Sequence, residues 1–142
     1  MAYQETFAQL QEKRPEEALE RLLNHYTETT MTTYVYSLLK NHLKCRDINN
    51  NMWFFKDEHN EWSWDKDNRQ FRIALHDVVQ ADLMKNIHIN TARMQTMEET
   101  DGAYENIRDQ TSRIADIAAG LDKEKFKNEI IKFCRDMFYK ED

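Results

Sequence analysis

The sequence predicts a mostly α-helical fold, a bundle of about five to six helices carrying one small aromatic β-hairpin. Three observations lead there. Two glycines and one proline in 142 residues cannot furnish the many tight turns of a sandwich or barrel, which draw on Gly, Pro and Asn-Gly pairs. A charged fraction of 32% beside a hydrophobic fraction of 40% suits helices with one buried stripe and a broad solvated face. Apolar residues also recur at three- and four-residue spacing along most of the chain. The length fits one domain, with no repeat or linker to divide residues 1–142.

Phe7 and Leu10 mark either a short helix before Pro15 or a loose leader over residues 1–14. Pro15 suits a first helical position, where its missing N–H has no partner to lose, and Glu16 and Glu17 favour the positive end of the helix dipole. Ala18, Leu19, Leu22, Leu23 and Tyr26 form its stripe. Thr29 or Thr30 is the expected cap of the next helix. There Met31, Tyr34, Val35, Leu38, Leu39 and Leu43 carry the rhythm to about Cys45. Asn49-Asn50-Asn51 then reads as a loop.

The period changes next. Trp53-Phe54-Phe55 and Trp62-Ser63-Trp64 flank the polar turn Asp57-Glu58-His59-Asn60, and aromatic residues two apart predict a hairpin. A lone hairpin is marginal in water, so it is expected to pack its aromatic face on a helix. Asn68 is the expected cap of a helix bearing Phe71, Ala74, Leu75, Val78, Val79, Leu83 and Ile87. A long helix is expected from about Thr91 to Ala119, with Gly102 as an interior weak point and Gly120 as the glycine after its end. Asp122 opens a last helix with Phe126, Ile130, Phe133, Cys134, Met137 and Phe138 on its stripe.

Several chemistries lack their residues. A phosphate-binding loop needs clustered glycines, and Gly102 and Gly120 stand eighteen apart. His25, His42, His59, His76 and His88 are scattered and no C-x-x-C occurs, so no zinc motif is present. Cys45 and Cys134 read as two buried, reduced thiols of an intracellular protein. Acidic pairs such as Asp65/Asp67 and Glu98/Glu99 read as solvated surface. No apolar run approaches 18 residues and the start has no signal-peptide character, so neither a membrane span nor secretion is expected. The net charge of −6 argues against an autonomous polyanion binder but leaves room for a local basic surface.

One constellation remains. Trp53, Phe54, Phe55, Trp62 and Trp64 read first as the docked face of the hairpin, with some rings left outside. The sharper alternative is a base-stacking platform built on Trp53, Phe55, Trp62 and Trp64, with Arg69 and Arg72 as phosphate-binding cations.

Tyr34-Val35-Tyr36-Ser37-Leu38-Leu39-Lys40, the tryptophan hairpin from Trp53 to Trp62, the Arg-bearing helix from Arg69 to Ile87, a long helix and the closing Ile130–Tyr139 stretch follow one another in an informative order. That order resembles the domain preceding the superfamily 3 helicase motor in poxvirus-type primase–helicases of large DNA viruses, which have phage relatives. The likeness covers roughly residues 31 to 142. Lys56 and Glu61 stand where the family commonly has a further aromatic and a basic residue.

The resemblance implies an accessory domain cut from a longer chain, between a primase and a hexameric helicase. Its role would be ring assembly and delivery of DNA to the motor, with a weak single-stranded DNA contact of its own. No cofactor is expected in this chain, since ATP and Mg would belong to the motor. Homo-oligomerisation would come with the parent, in host cytoplasm or nucleus. A free-standing helical protein-interaction factor of viral or phage origin is the competing expectation, and an enzyme with a site assembled from scattered residues is a third.

Overall fold

In the computed structural model, residues 5–141 are described. The order is α1 (Phe7–Gln11), α2 (Pro15–Asn24), α3 (Glu28–Leu39), β1 (Leu43–Asp47), β2 (Met52–Lys56), β3 (Trp62–Trp64), α4 (Arg69–Ala74), a π-helical segment (Leu75–Gln80), α5 (Ala81–Met94), α6 (Gly102–Gly120) and α7 (Glu124–Cys134). The backbone stays helical through Leu75 and Ala81, so α4, the π segment and α5 form one continuous helix. The fold is mostly α with a small antiparallel sheet. No helix among the described residues is long and apolar enough to cross a membrane.

The N-terminal segment folds. Thr6 and Gln9 cap α1 reciprocally, Leu10 is buried, and Gln11 Nε2 donates to the Met137 carbonyl at 2.7 Å. Glu5 is clasped by Arg21 and by Lys13. The Arg21 hydrogen bond first, then that of Lys13, holds the Glu5 carboxyl down at about 2. Of the proposed leader, then, residues 5–14 dock on the body, and residues 1–4 lie outside the described residues.

Helix α3 is the centre of the core, and every residue from Met31 to Tyr36 is buried. Its cap is Thr27, paired reciprocally with Thr30, rather than Thr29 or Thr30. It ends at Leu39, six residues short of the expected Cys45. Leu43 keeps the helical spacing from Leu39, but it opens a strand.

The sheet therefore has three strands, in order β1-β2-β3, where the sequence predicted two. Its inner face docks through Trp53, fully buried against Phe71 (4.7 Å between ring centroids) and Phe138 (5.4 Å). The chain end joins it. Cys45 N–H donates to the Phe138 carbonyl, and Lys140 N–H to the Cys45 carbonyl, a parallel bridge on the free edge of β1.

Phe71, Leu75, Val79 and Leu83 are all fully buried at intervals of four. In an α-helix of 3.6 residues per turn, each such step overshoots by about 40°, and three steps would rotate the stripe off the core. The wider turn of the π segment absorbs that drift. The continuous helix then runs to Met94, past the break expected near Ile87. Residues 95–101 form a loop, so Gly102 is the first residue of α6 behind its Asp101 cap, not an interior weak point. Gly120 is the last residue of α6, with no positive φ. A Cβ there would meet the Phe126 ring at 3.0 Å, so glycine serves a close approach rather than a left-handed turn. The final helix opens at Glu124, two residues after Asp122.

Candidate nucleic-acid interface

The hairpin is held in shape by its asparagines and aspartates. Asp57 Oδ1 accepts from the His59 and Glu61 amides, and Oδ2 from the Ser63 hydroxyl at 2.7 Å. Those bonds, the Ser63 hydroxyl foremost, hold the Asp57 carboxyl below its ordinary value. Asn51 and Asn60 take left-handed φ of 52° and 61°, a conformation asparagine tolerates. Asn51 Oδ1 also receives the buried Trp53 indole N–H at 2.8 Å. At the far end Asp65, itself buried, accepts from the amides of Gln70 (2.7 Å) and Phe71 (3.0 Å) and caps α4. Asn68, the expected cap, makes no such bond. Burial raises the Asp65 carboxyl, and the two amides pull the other way.

Strand register sorts the side chains onto two faces, because cross-strand partners share a side. Leu43, Cys45, Trp53 and Phe55 line the inner face against the core. On the outer face Lys44, Phe54 and Trp64 form one row across all three strands, and Lys56 with Trp62 forms the next. A register shift between Cys45 and Asp47 leaves Arg46 without a partner in the ladder. Its guanidinium lies 5.5 Å from the Phe54 centroid.

Cations and rings interleave on this face. Lys44 Nζ sits 4.4 Å and Lys56 Nζ 5.3 Å from the Trp62 centroid. Each such contact is worth about 0.5–1 kcal/mol at an exposed site. Lys44 is buried beneath its neighbours, Lys56 is half-buried, and Arg46 is exposed. Among the described residues, neither Arg46 nor Lys56 forms an ion pair. Trp64 is 59% exposed, the most open large apolar side chain described.

The expected site residues thus divide. Trp62 and Trp64 share the outer face. Trp53 is in the core and Phe55 packs against it, so neither presents a ring to a base. Arg69 is exposed on α4. Arg72 is spent on α7, bonding Glu124 at 2.7 Å and also Asn128. Phe54 belonged to the aromatic constellation read from the sequence, whereas Lys44, Arg46 and Lys56 were not singled out as site residues. Alternation in Leu43-Lys44-Cys45-Arg46 was the available signal for two of them, masked by the helical spacing of Leu39 and Leu43.

Other chemistry is sparse. All five histidines are exposed, and no group of three His, Cys, Asp or Glu could hold a metal among the described residues. Both cysteines are free and buried. Burial pushes both thiols up, against the formation of a reactive thiolate. An apolar cleft of about 470 Å³ opens between α2, α6 and α7, walled by Leu22, Tyr26, Ile117 and Phe126. No family model, curated protein or solved structure matches the chain.

Proposed function

We propose that this chain is a non-catalytic accessory domain that contacts nucleic acid through the outer face of its sheet. One observation carries the reading. A protein of net charge −6 gathers Lys44, Arg46 and Lys56 among Phe54, Trp62 and Trp64 on one small surface. Cations and aromatic rings on one face, one ring among them open, are what a polyanion of planar bases requires.

The resemblance to the helicase-proximal domain of poxvirus-type primase–helicases gives this surface a setting. There the domain would help assemble the ring and pass DNA to the motor, with primase and helicase domains as its neighbours in host cytoplasm or nucleus. ATP and Mg would be the motor's. Several copies in one ring make a weak contact per subunit sufficient, through effective concentration. The apolar cleft favours a second reading, a helical protein-interaction factor.

Binding of the purified chain to labelled DNA across a salt series tests the proposal. Affinity that falls as salt rises, and falls again in a Lys56→Ala/Arg46→Ala variant, supports it. Absence of binding at low salt overturns it. The coding sequence after Asp142 tests the setting: an in-frame Walker motif supports a helicase parent, and a stop codon removes it.

A further inference from the structure

We infer that the outer sheet face binds an unpaired nucleic-acid strand, with Trp64 stacking a base, Arg46 and Lys56 holding phosphates, and Trp62 positioning the lysines. This rests on the nucleic-acid reading above and assigns its substrate form and the division of labour among its rings.

The three outer rings are not equivalent. Trp62 has two ammonium groups within 5.3 Å of its centroid, so its π face is engaged by cations. Trp64 has no such neighbour and is 59% exposed. It stands directly across from Phe54. Side chains opposite one another in an antiparallel pair have Cβ atoms about 4.5–5.5 Å apart, but Phe54 has the Arg46 guanidinium over its own ring, so Trp64 is the face left for a base. Arg46 beside Phe54 and Lys56 beside Trp62 share the outer face with the open indole.

This arrangement discriminates against a duplex on two grounds. Bases in a duplex are already stacked on one another and keep their faces from a protein ring, whereas an unpaired strand offers them. A duplex also concentrates charge, and affinity for it grows with the number of phosphates neutralised. Two accessible cations on an acidic chain suit a short strand held mainly by stacking. Such a contact has a shallow salt dependence, a slope of log K on log salt near about −1.4, from 0.7 for each of two phosphates.

The face has room for little more than a few nucleotides, and its two cations are too few to fix a sequence. Sequence preference is therefore expected to be slight, since every base has a π face.

The experiment titrates the full chain with oligothymidine of about twelve nucleotides, within the range of single-strand sites. The same titration is run with a duplex and with oligouridine, reading tryptophan emission and anisotropy. Quenching by oligothymidine and weaker binding of the duplex are expected. Trp64→Ala should weaken single-strand binding roughly 5- to 150-fold, the range for one stacked base, with unchanged far-UV circular dichroism because the ring is exposed. Trp64→Phe should restore much of the affinity while losing the quench. Trp62→Phe should keep affinity and slope, because a phenyl ring still holds the lysines, whereas Trp62→Ala should flatten the slope. Duplex binding as tight as single-strand binding, or full affinity in Trp64→Ala, overturns this inference and leaves the nucleic-acid reading standing. Oligouridine is expected to bind much as oligothymidine does, since stacking on a ring does not read the 2′-hydroxyl. No binding of any probe overturns both.

Discussion

The indole of Trp53 meets the ring of Phe71 edge-on, with centroids 4.7 Å apart and planes inclined at 78°. This contact joins the sheet to α4, and Phe138 closes the cluster from the chain end. Trp53→Ala should cost about 3–5 kcal/mol, the range for deleting a large buried aromatic. Against a total stability of about 5–15 kcal/mol, that leaves a marginal fold. Trp53→Phe keeps a ring but strands Asn51 and should fall between. Urea melts check the order, and an unchanged midpoint in Trp53→Ala would show the cluster to be incidental.

Tyr34 and Asp82 couple α3 to α5. The fully buried phenol donates to Asp82 Oδ2 at 2.5 Å. Burial first, and then the carboxylate, keeps that hydroxyl protonated well above the ordinary tyrosine range. Tyr34→Phe should lower stability by about 1.5–3 kcal/mol, the net worth of a hydrogen bond to a charged group. A double-mutant cycle with Asp82→Ala should recover a clear coupling energy. Simple additivity of the two substitutions would contradict the bond's importance.

Asp65 closes the start of α4 from outside the helix. The chain reaches back because Asp67 and Asn68 take left-handed φ of 59° and 57°. Asp65→Ala leaves the Gln70 and Phe71 amides without their acceptor and should cost about 1–3 kcal/mol. Asp65→Asn retains one acceptor oxygen and should cost less. Hydrogen exchange at those two amides is the direct readout; protection that survives in Asp65→Ala would mean another group caps the helix.

Acid should loosen the N-terminal segment. The Glu5 carboxyl lies at about 2 in the folded chain, below its ordinary 4.5, because of Arg21 and Lys13. A depressed carboxyl stabilises the folded state above its unfolded value and loses that contribution as pH falls through the folded one. Thermal melts of the native chain should therefore drop between about pH 4.5 and pH 2. Glu5→Gln should show a smaller drop over that range and a lower melting point at neutral pH. An identical acid limb in both proteins would place the acid sensitivity elsewhere.

What local chemistry sets was legible from the residues. The helical stripes of α2 and α7, the polar turn at Asp57–Asn60 and the hairpin beyond Trp53 all follow from periodicity and turn residues. Pro15 sits at the start of α2 as its lost N–H requires. Those signals lie within a few positions of the groups they control, so one chain suffices to read them.

Leu43-Lys44-Cys45-Arg46 shows where that ends. Its spacing continues the α3 stripe, yet it pairs with β2, because that pairing buries Leu43 and Cys45 and satisfies a strand edge that the chain end also joins. The choice depends on residues nearly a hundred positions away, at Phe138 and Lys140. The same pairing decided which rings of the aromatic cluster became core and which became surface. By itself the sequence determined a helical body with an aromatic hairpin and no phosphate loop. Only the tertiary structure decided that Trp53 and Phe55 turn inward while Phe54, Trp62 and Trp64 share the outer face with three cations, since a strand's two faces are told apart only by what packs against one of them.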